Sequence, residues 1–236
     1  MTRTAVIAGV GPGLGESLAR RFATAGCRVG LFARSADYID GLADDLAETE
    51  GDALAVPTDL RDPAAIRAGF EAVREAFGPV DVLVHNASAA GWSGLLEADP
   101  AAFDRALDVG PRAALLTARE AAEDMLASDG GTIVFTGATT SVRGRGGAIG
   151  FSAAKFAVRG MAESMARELG SEGIHVAHVV LDGQILPPQE SERAPDRPRE
   201  EYLDPDAIAE SYWHLVEQDR SAWTLELDLR PHVEEF

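Results

Sequence analysis

Short apolar runs alternate with stretches of helical periodicity along the whole chain. Residues 5–8 form an apolar run with β-branched members, the length of a buried strand, and Leu14, Leu18 and Phe22 then recur at helical spacing. Further strands are predicted over 28–33, 53–57, 81–85, 132–136, 175–180 and 223–229, and helices over 36–49, 63–77, 100–127, 152–169 and 205–217. Asp62 before Pro63 and Asp204 before Pro205 read as N-caps followed by a proline in the first turn. Gly110-Pro111 must break or kink the long helix, because proline removes a backbone donor and clashes with the preceding turn. Such alternation predicts an α/β fold: a doubly wound parallel sheet with right-handed crossovers and helices on both faces. Ligands then sit at the carboxyl ends of the strands. One domain is expected over 1–236, with no internal repeat; the irregular stretch 182–203, rich in Pro, Arg and Glu, reads as a mobile lid.

The first strand runs directly into a glycine-rich turn, 9–15, with Gly9, Gly11, Gly13, Leu14 and Gly15. Its spacing is G-x-x-x-G-x-G through Gly9, Gly13 and Gly15. The G-x-G-x-x-G pattern fails, since Leu14 and Glu16 stand where it needs glycine. A turn of this kind between strand and helix presents amide N–H groups and a positive dipole end to an anion. Glycine lets a pyrophosphate approach the backbone and supplies positive φ where required.

Composition narrows the class. Hydrophobic residues make up 46%, which excludes a disordered chain, and the net charge of −18 argues against binding nucleic acid or anionic lipid. No run approaches membrane-spanning length, and neither signal peptide nor anchor is expected. The single Cys27 permits no internal disulfide and fits a reducing cytoplasm. Lys155 is the only lysine. An acidic, almost lysine-free surface suits a high-salt, halophilic cytoplasm, where screening removes self-repulsion. A GC-rich genome would account for the missing lysine but less well for the acidity.

The glycine turn, Asp59 after the third strand, His85-Asn86-Ala87 after the fourth and Lys155 after the fifth together resemble the short-chain dehydrogenase/reductase family. The resemblance covers essentially the whole chain. It implies one Rossmann-like domain with strand order 3-2-1-4-5-6-7, a nicotinamide cofactor, and homodimers or homotetramers. Asp59 and Leu60 resemble the family's adenine-edge contacts. Asn86 resembles the Asn that steadies the central strands near the cofactor, with His85 and Ser88 replacing two residues of that motif. Ile185, after Asp182-Gly183, resembles the residue that meets the carboxamide, and Leu186-Pro187 follow where the family often has a Thr. Charge bears on the choice of cofactor. Dinucleotide folds that prefer NAD carry an acid at the end of the second strand. Here Ala33 is followed by Arg34 and Ser35, a guanidinium and a hydroxyl suited to a 2′-phosphate, so NADP is expected over NAD.

The catalytic block departs from the family. The family pairs a Tyr with a Lys four residues on, and the Lys charge lowers the Tyr pKa for proton transfer. In this chain Lys155 is retained, but Phe151 stands at the Tyr position, Ala138 at the Ser position, and Gly110 at the position of the helical Asn. The run 151–155 resembles a branch of the family with this Phe-for-Tyr exchange. Lys155 can still hydrogen-bond the nicotinamide ribose. Thr139, Ser141, Ser152 or a water held by Lys155 are alternative proton sources, with Arg143 and Arg145 adding positive charge; loop hydrogen bonding is the plainer role for the hydroxyls.

Other chemistries are weaker. The run 150–154 lacks the second glycine of a hydrolase elbow. His175 and His178, three apart on a strand, point to opposite faces and do not form a metal pair. His214 and His232 have no partner spacing, and no metal is expected. Trp92, Trp213 and Trp223 read as packing or interface residues. Two functions follow: an NADP-dependent oxidoreductase with a non-standard proton donor, or a catalytically silent NADP(H)-binding sensor or partner subunit.

Overall fold

The computed structural model describes residues 2–89, 91–188 and 196–234. Seven parallel strands form one sheet: β1 (Thr4–Ala8), β2 (Arg28–Ala33), β3 (Asp52–Pro57), β4 (Val82–His85), β5 (Gly131–Thr136), β6 (Ile174–Leu181) and β9 (Glu226–Leu229). Their order is β3-β2-β1-β4-β5-β6-β9, the predicted order with the last strand at the edge. Two short strands, β7 (Gln184–Ile185) and β8 (Tyr202–Leu203), pair separately. The helices are α1 (Leu14–Thr24), α2 (Ala36–Leu46), α3 (Pro63–Phe77), α4 (Pro100–Leu107), α5 (Ala113–Leu126), α6 (Ile149–Leu169) and α7 (Pro205–Val216).

The strand pleat divides the core in two. Ala5 and Ile7 of β1 point to one face, where they join Leu18 and Phe22 of α1 and Tyr212 of α7. Val6 and Ala8 point to the other, with Phe70 of α3, Ala118 of α5 and Val158 of α6. Because both faces are covered, the central strands are continuously apolar rather than alternating. Strand β1 pairs with β2 on one side and β4 on the other. The chain order reverses there, which opens a crevice at the carboxyl ends of these strands.

Aspartate caps start three helices. Asp62 accepts from the Ala64 amide at 2.8 Å, Asp99 from Ala101 at 3.1 Å, and Asp204 from Asp206 at 3.0 Å, each ahead of a proline. Asp99 was not foreseen. Several predicted boundaries shift. The helix from Ala36 ends at Leu46, because the Thr49 amide and hydroxyl both take the Leu46 carbonyl. The predicted helix 100–127 is interrupted where Gly110-Pro111 were expected to break it, giving two helices joined by one wide turn, Asp108–Arg112, with Gly110 at φ −81°, ψ −105°. Helix α6 starts at Ile149, three residues early. Strand β9 starts at Glu226, because Asp219 caps a short helical turn over Arg220–Ala222. The predicted lid, 182–203, holds the β7–β8 pair at its ends, while 189–195 lie outside the described residues. Among the described residues no helix is long and apolar enough to cross a membrane.

Candidate functional site

Two cavities meet at the crevice. The first, about 780 Å³, has the glycine turn on one side and the ends of β5 and β6 with the start of α6 on the other. The second, about 520 Å³, opens between the glycine turn and the ends of β2 and β3. Gly9 and Gly11 border both.

The glycine turn is fixed from beneath. The amides of Gly9 and Val10 both donate to the Phe32 carbonyl of β2, at 2.9 and 3.0 Å. Asn86 and Ala87 donate their amides to the Ala8 carbonyl, and the Asn86 amide side chain donates to the Gly9 carbonyl at 2.9 Å. Thus Asn86 ties the end of β4 to the turn. Gly9 has φ +105°, and a Cβ there would lie 2.6 Å from the Ala87 nitrogen. Gly11 differs: a Cβ there would meet nothing within 4 Å, so it would stand in the open cavity. Leu14 and Gly15 begin α1, and their amides have no partner among the described residues, whereas those of Glu16 and Ser17 donate to the Gly11 and Gly13 carbonyls at 3.1 and 3.0 Å. An open cradle backed by free amides fits the pyrophosphate of a dinucleotide.

The second cavity is lined by Arg34, Ser35, Asp59, Leu60 and Ala87. Ser35 stands at the N-cap of α2, yet its hydroxyl makes no cap hydrogen bond. Arg34 is exposed and makes no ion pair or hydrogen bond with any described residue. Asp59 is held by the Arg61 guanidinium, at 2.5 Å from Nη2, which pulls its carboxyl down to about 2. Sequence reading missed Arg61 and its pairing, which neutralises the one acid at this cavity's edge.

In the first cavity Lys155 is only 5% exposed and donates to the Thr136 carbonyl at 2.7 Å. Lys155 is therefore a buried lysine rather than a surface one. Burial pushes the ammonium down to about 8. Behind it, buried His85 bonds Thr117 through Nδ1 at 3.1 Å, and burial, then the nearby Lys155 charge, hold its imidazole at about 3, so it is neutral. Phe151 lines the cavity with its ring centroid 5.6 Å from Lys155 Nζ. Ala138 and Thr139 also line it, as do Gly183 and Ile185, the latter fixed where β7 pairs with β8. Thr139 donates to Asp182 at 2.6 Å. Asp182 is 4% exposed and also receives Arg143 at 3.5 Å and Arg230 at 3.3 Å. This network binds the ends of β5, β6 and β9 together; its members are too far apart in sequence to have been grouped. Ser141 and Ser152 accept from the amides of Ala138 and Arg145, the plain loop role expected of them. Gly110 lies close to α6: a Cβ there would stand 3.2 Å from Ala154 Cβ, so the position of the family's Asn is crowded.

The tryptophans divide. Trp213 packs on Phe22 and Trp223 stacks on His175, as expected of packing residues. Trp92 stands outside the core: it is 61% exposed and lines the first cavity, with its ring centroid 5.4 Å from that of Phe151. His175 and His178 face different partners, the Leu215 carbonyl and Glu226.

The model of the short chain dehydrogenase family matches residues 3–192. The chain belongs to this family. It is 31% identical over 177 residues to a 3alpha-hydroxysteroid dehydrogenase of Mediterraneibacter gnavus, covering 74% of this chain and 70% of that one. A short-chain dehydrogenase from Rhodopseudomonas palustris superposes with a TM-score of 0.84 at 33% identity, over 98% of this chain and 99% of that one. An alcohol dehydrogenase from Thermococcus sibiricus, solved with 5-hydroxy-NADP, gives 0.89 at 25% identity, over 100% of this chain and 99% of that one.

The buried lysine makes a pH test possible. Its charge is disfavoured in the fold, falling from 10.5 to about 8. The unfolded chain therefore binds the proton more tightly, the penalty is full below pH 8, and it fades as pH rises to 10.5. Relative to Lys155→Met, the wild type should gain about 3 kcal/mol of stability across that window. Urea midpoints of both proteins at pH 7.5 and about 10.5 measure the difference; equal slopes with pH would refute the burial.

Proposed function

We propose that this protein is an NADP(H)-dependent oxidoreductase that interconverts a carbonyl compound and an alcohol. The observation that carries the reading is the buried Lys155 ammonium facing the glycine cradle across one cavity, with two of its donors left for a ligand. The cofactor would supply the hydride: NADPH, a carbonyl and one proton give NADP⁺ and an alcohol. Leu14 and Gly15 amides would hold the pyrophosphate, Lys155 the nicotinamide ribose, and Gly183 and Ile185 would border the carboxamide. Asp59 and Leu60 would border the adenine.

Phe151 has no proton to give. Among the groups lining this cavity, Lys155, held at about 8, is the one able to release a proton near neutral pH. In this reading it donates through a ribose hydroxyl or a bridging water and is reprotonated from solvent. Thr139 directs its own proton to Asp182 and offers its lone pairs to a substrate hydroxyl. The same Phe151 favours the second reading, a silent NADP(H) sensor, and turnover separates them. Loss of NADPH absorbance with a panel of ketones and aldehydes, at low and molar salt, supports the enzyme; tight NADPH binding without turnover supports the sensor.

Arg34 and Ser35 support NADP over NAD. Arg34→Glu should weaken NADPH by about 10–100-fold and leave NADH within about threefold, because a charge-assisted contact to the 2′-phosphate is lost. Calorimetric titration with both coenzymes checks this. Parallel loss of both would place the phosphate elsewhere.

A further inference from the structure

The first cavity extends outward beyond the residues assigned to the cofactor, and a run of four side chains leads there from Lys155. From the Lys155 ammonium it passes to the Phe151 ring at 5.6 Å, then to the Trp92 indole at 5.4 Å with a 44° tilt. It ends at the Arg145 guanidinium, 5.5 Å from the indole centroid. Trp92 is 61% exposed, and Arg145 is exposed beside it.

Charge makes this arrangement informative. The chain has 39 acidic residues against 21 Lys and Arg, yet among the described residues Lys155 and Arg145 are the only charged ones lining this cavity. Arg145 makes no ion pair with any described residue, whereas nearby Arg143 is paired with Asp182 and Arg159 with Glu226. Without a carboxylate partner among the described residues, the Arg145 guanidinium lies over the Trp92 ring instead. Stacking occupies the face of a guanidinium and leaves its N–H edge free for a bidentate oxyanion. The indole offers a flat apolar surface between that edge and the reaction centre.

We infer that the outer half of this cavity selects substrates that carry a carboxylate on a planar ring, the ring against Trp92 and the carboxylate on Arg145. The carbonyl to be reduced then points inward to Lys155. This specificity rests on the oxidoreductase reading, under which the inner half holds the nicotinamide.

The test is binding of 4-acetylbenzoate and its methyl ester to the full chain, with and without NADP⁺, followed by Trp fluorescence and calorimetry. The acid should bind about tenfold tighter than the ester or better, as a charge-assisted hydrogen bond would give. That ratio should fall to about one in Arg145→Gln, recover partly in Arg145→Lys, and shrink in high salt. Trp92→Leu should weaken acid and ester alike. NADPH affinity should be unchanged in all three variants, which shows that they are folded. Equal affinity for acid and ester, binding of neither, or a preference that survives Arg145→Gln overturns the inference. Absence of NADP(H) binding overturns the oxidoreductase reading instead; the acid–ester comparison on the cofactor-free protein still decides this one.

Discussion

Phe151→Tyr should raise NADPH-dependent carbonyl reduction by about a hundredfold, at the low end of what a positioned acid contributes. The ring already lines the cavity beside Lys155, 5.6 Å from Nζ, so the added hydroxyl enters open space with an ammonium nearby. That charge favours the phenolate and lowers the tyrosine pKa, which eases proton transfer. Ala138 supplies no hydroxyl to orient the substrate, so the gain should grow further in Ala138→Ser/Phe151→Tyr. The gain belongs in kcat with KM little changed, since the new contact acts mainly in the transition state. Steady-state kinetics of wild type and both variants measure it. A variant no faster than wild type, with NADPH still bound, would mean that the cavity does not present a carbonyl at that ring.

A glycine pair separates folding from cofactor binding within one turn. Gly9→Ala should destabilise the protein by about 3 kcal/mol, combining a strained positive φ with an overpacked contact. The contact is with backbone, Ala87 nitrogen at 2.6 Å, which cannot swing aside. For a chain of this size the melting temperature should drop by about 6–12 °C. Gly11→Ala meets nothing within 4 Å, so its melting temperature should hold within about 1–2 °C. Its methyl group instead occupies the cradle, and NADPH affinity should fall by about tenfold or more, because phosphate is pushed off the amides. Differential scanning calorimetry and coenzyme titration on the two variants give opposite outcomes. Equal effects on both quantities would remove the pyrophosphate from this turn.

The local patterns carried most of the fold. Apolar runs such as 5–8 and 132–136 become strands because both faces of a parallel sheet are buried, a condition visible residue by residue. Asp62-Pro63 and Asp204-Pro205 set helix starts through contacts spanning two residues, so they are readable without the tertiary structure. Errors arose where distant packing overrides propensity. Helix α6 begins early, and Gly150 in its first turn is buried close to Phe103 of α4, a packing that outweighs glycine's low helix propensity.

The chemistry divides along the same line. The order of glycines and Lys155 are properties of the sequence, and with the alternation of strands and helices they carried the family and the sheet order. Only the tertiary structure decided what each charge does. It buried Lys155 against the Thr136 carbonyl, spent Asp182 on Thr139, and left Arg145, without an ion pair among the described residues, on Trp92 at the cavity mouth. The physical reason is range: backbone conformation answers to neighbours a few residues away, whereas burial and ion pairing are fixed by groups far apart in the chain, 214 positions in the case of Arg3 and Glu217.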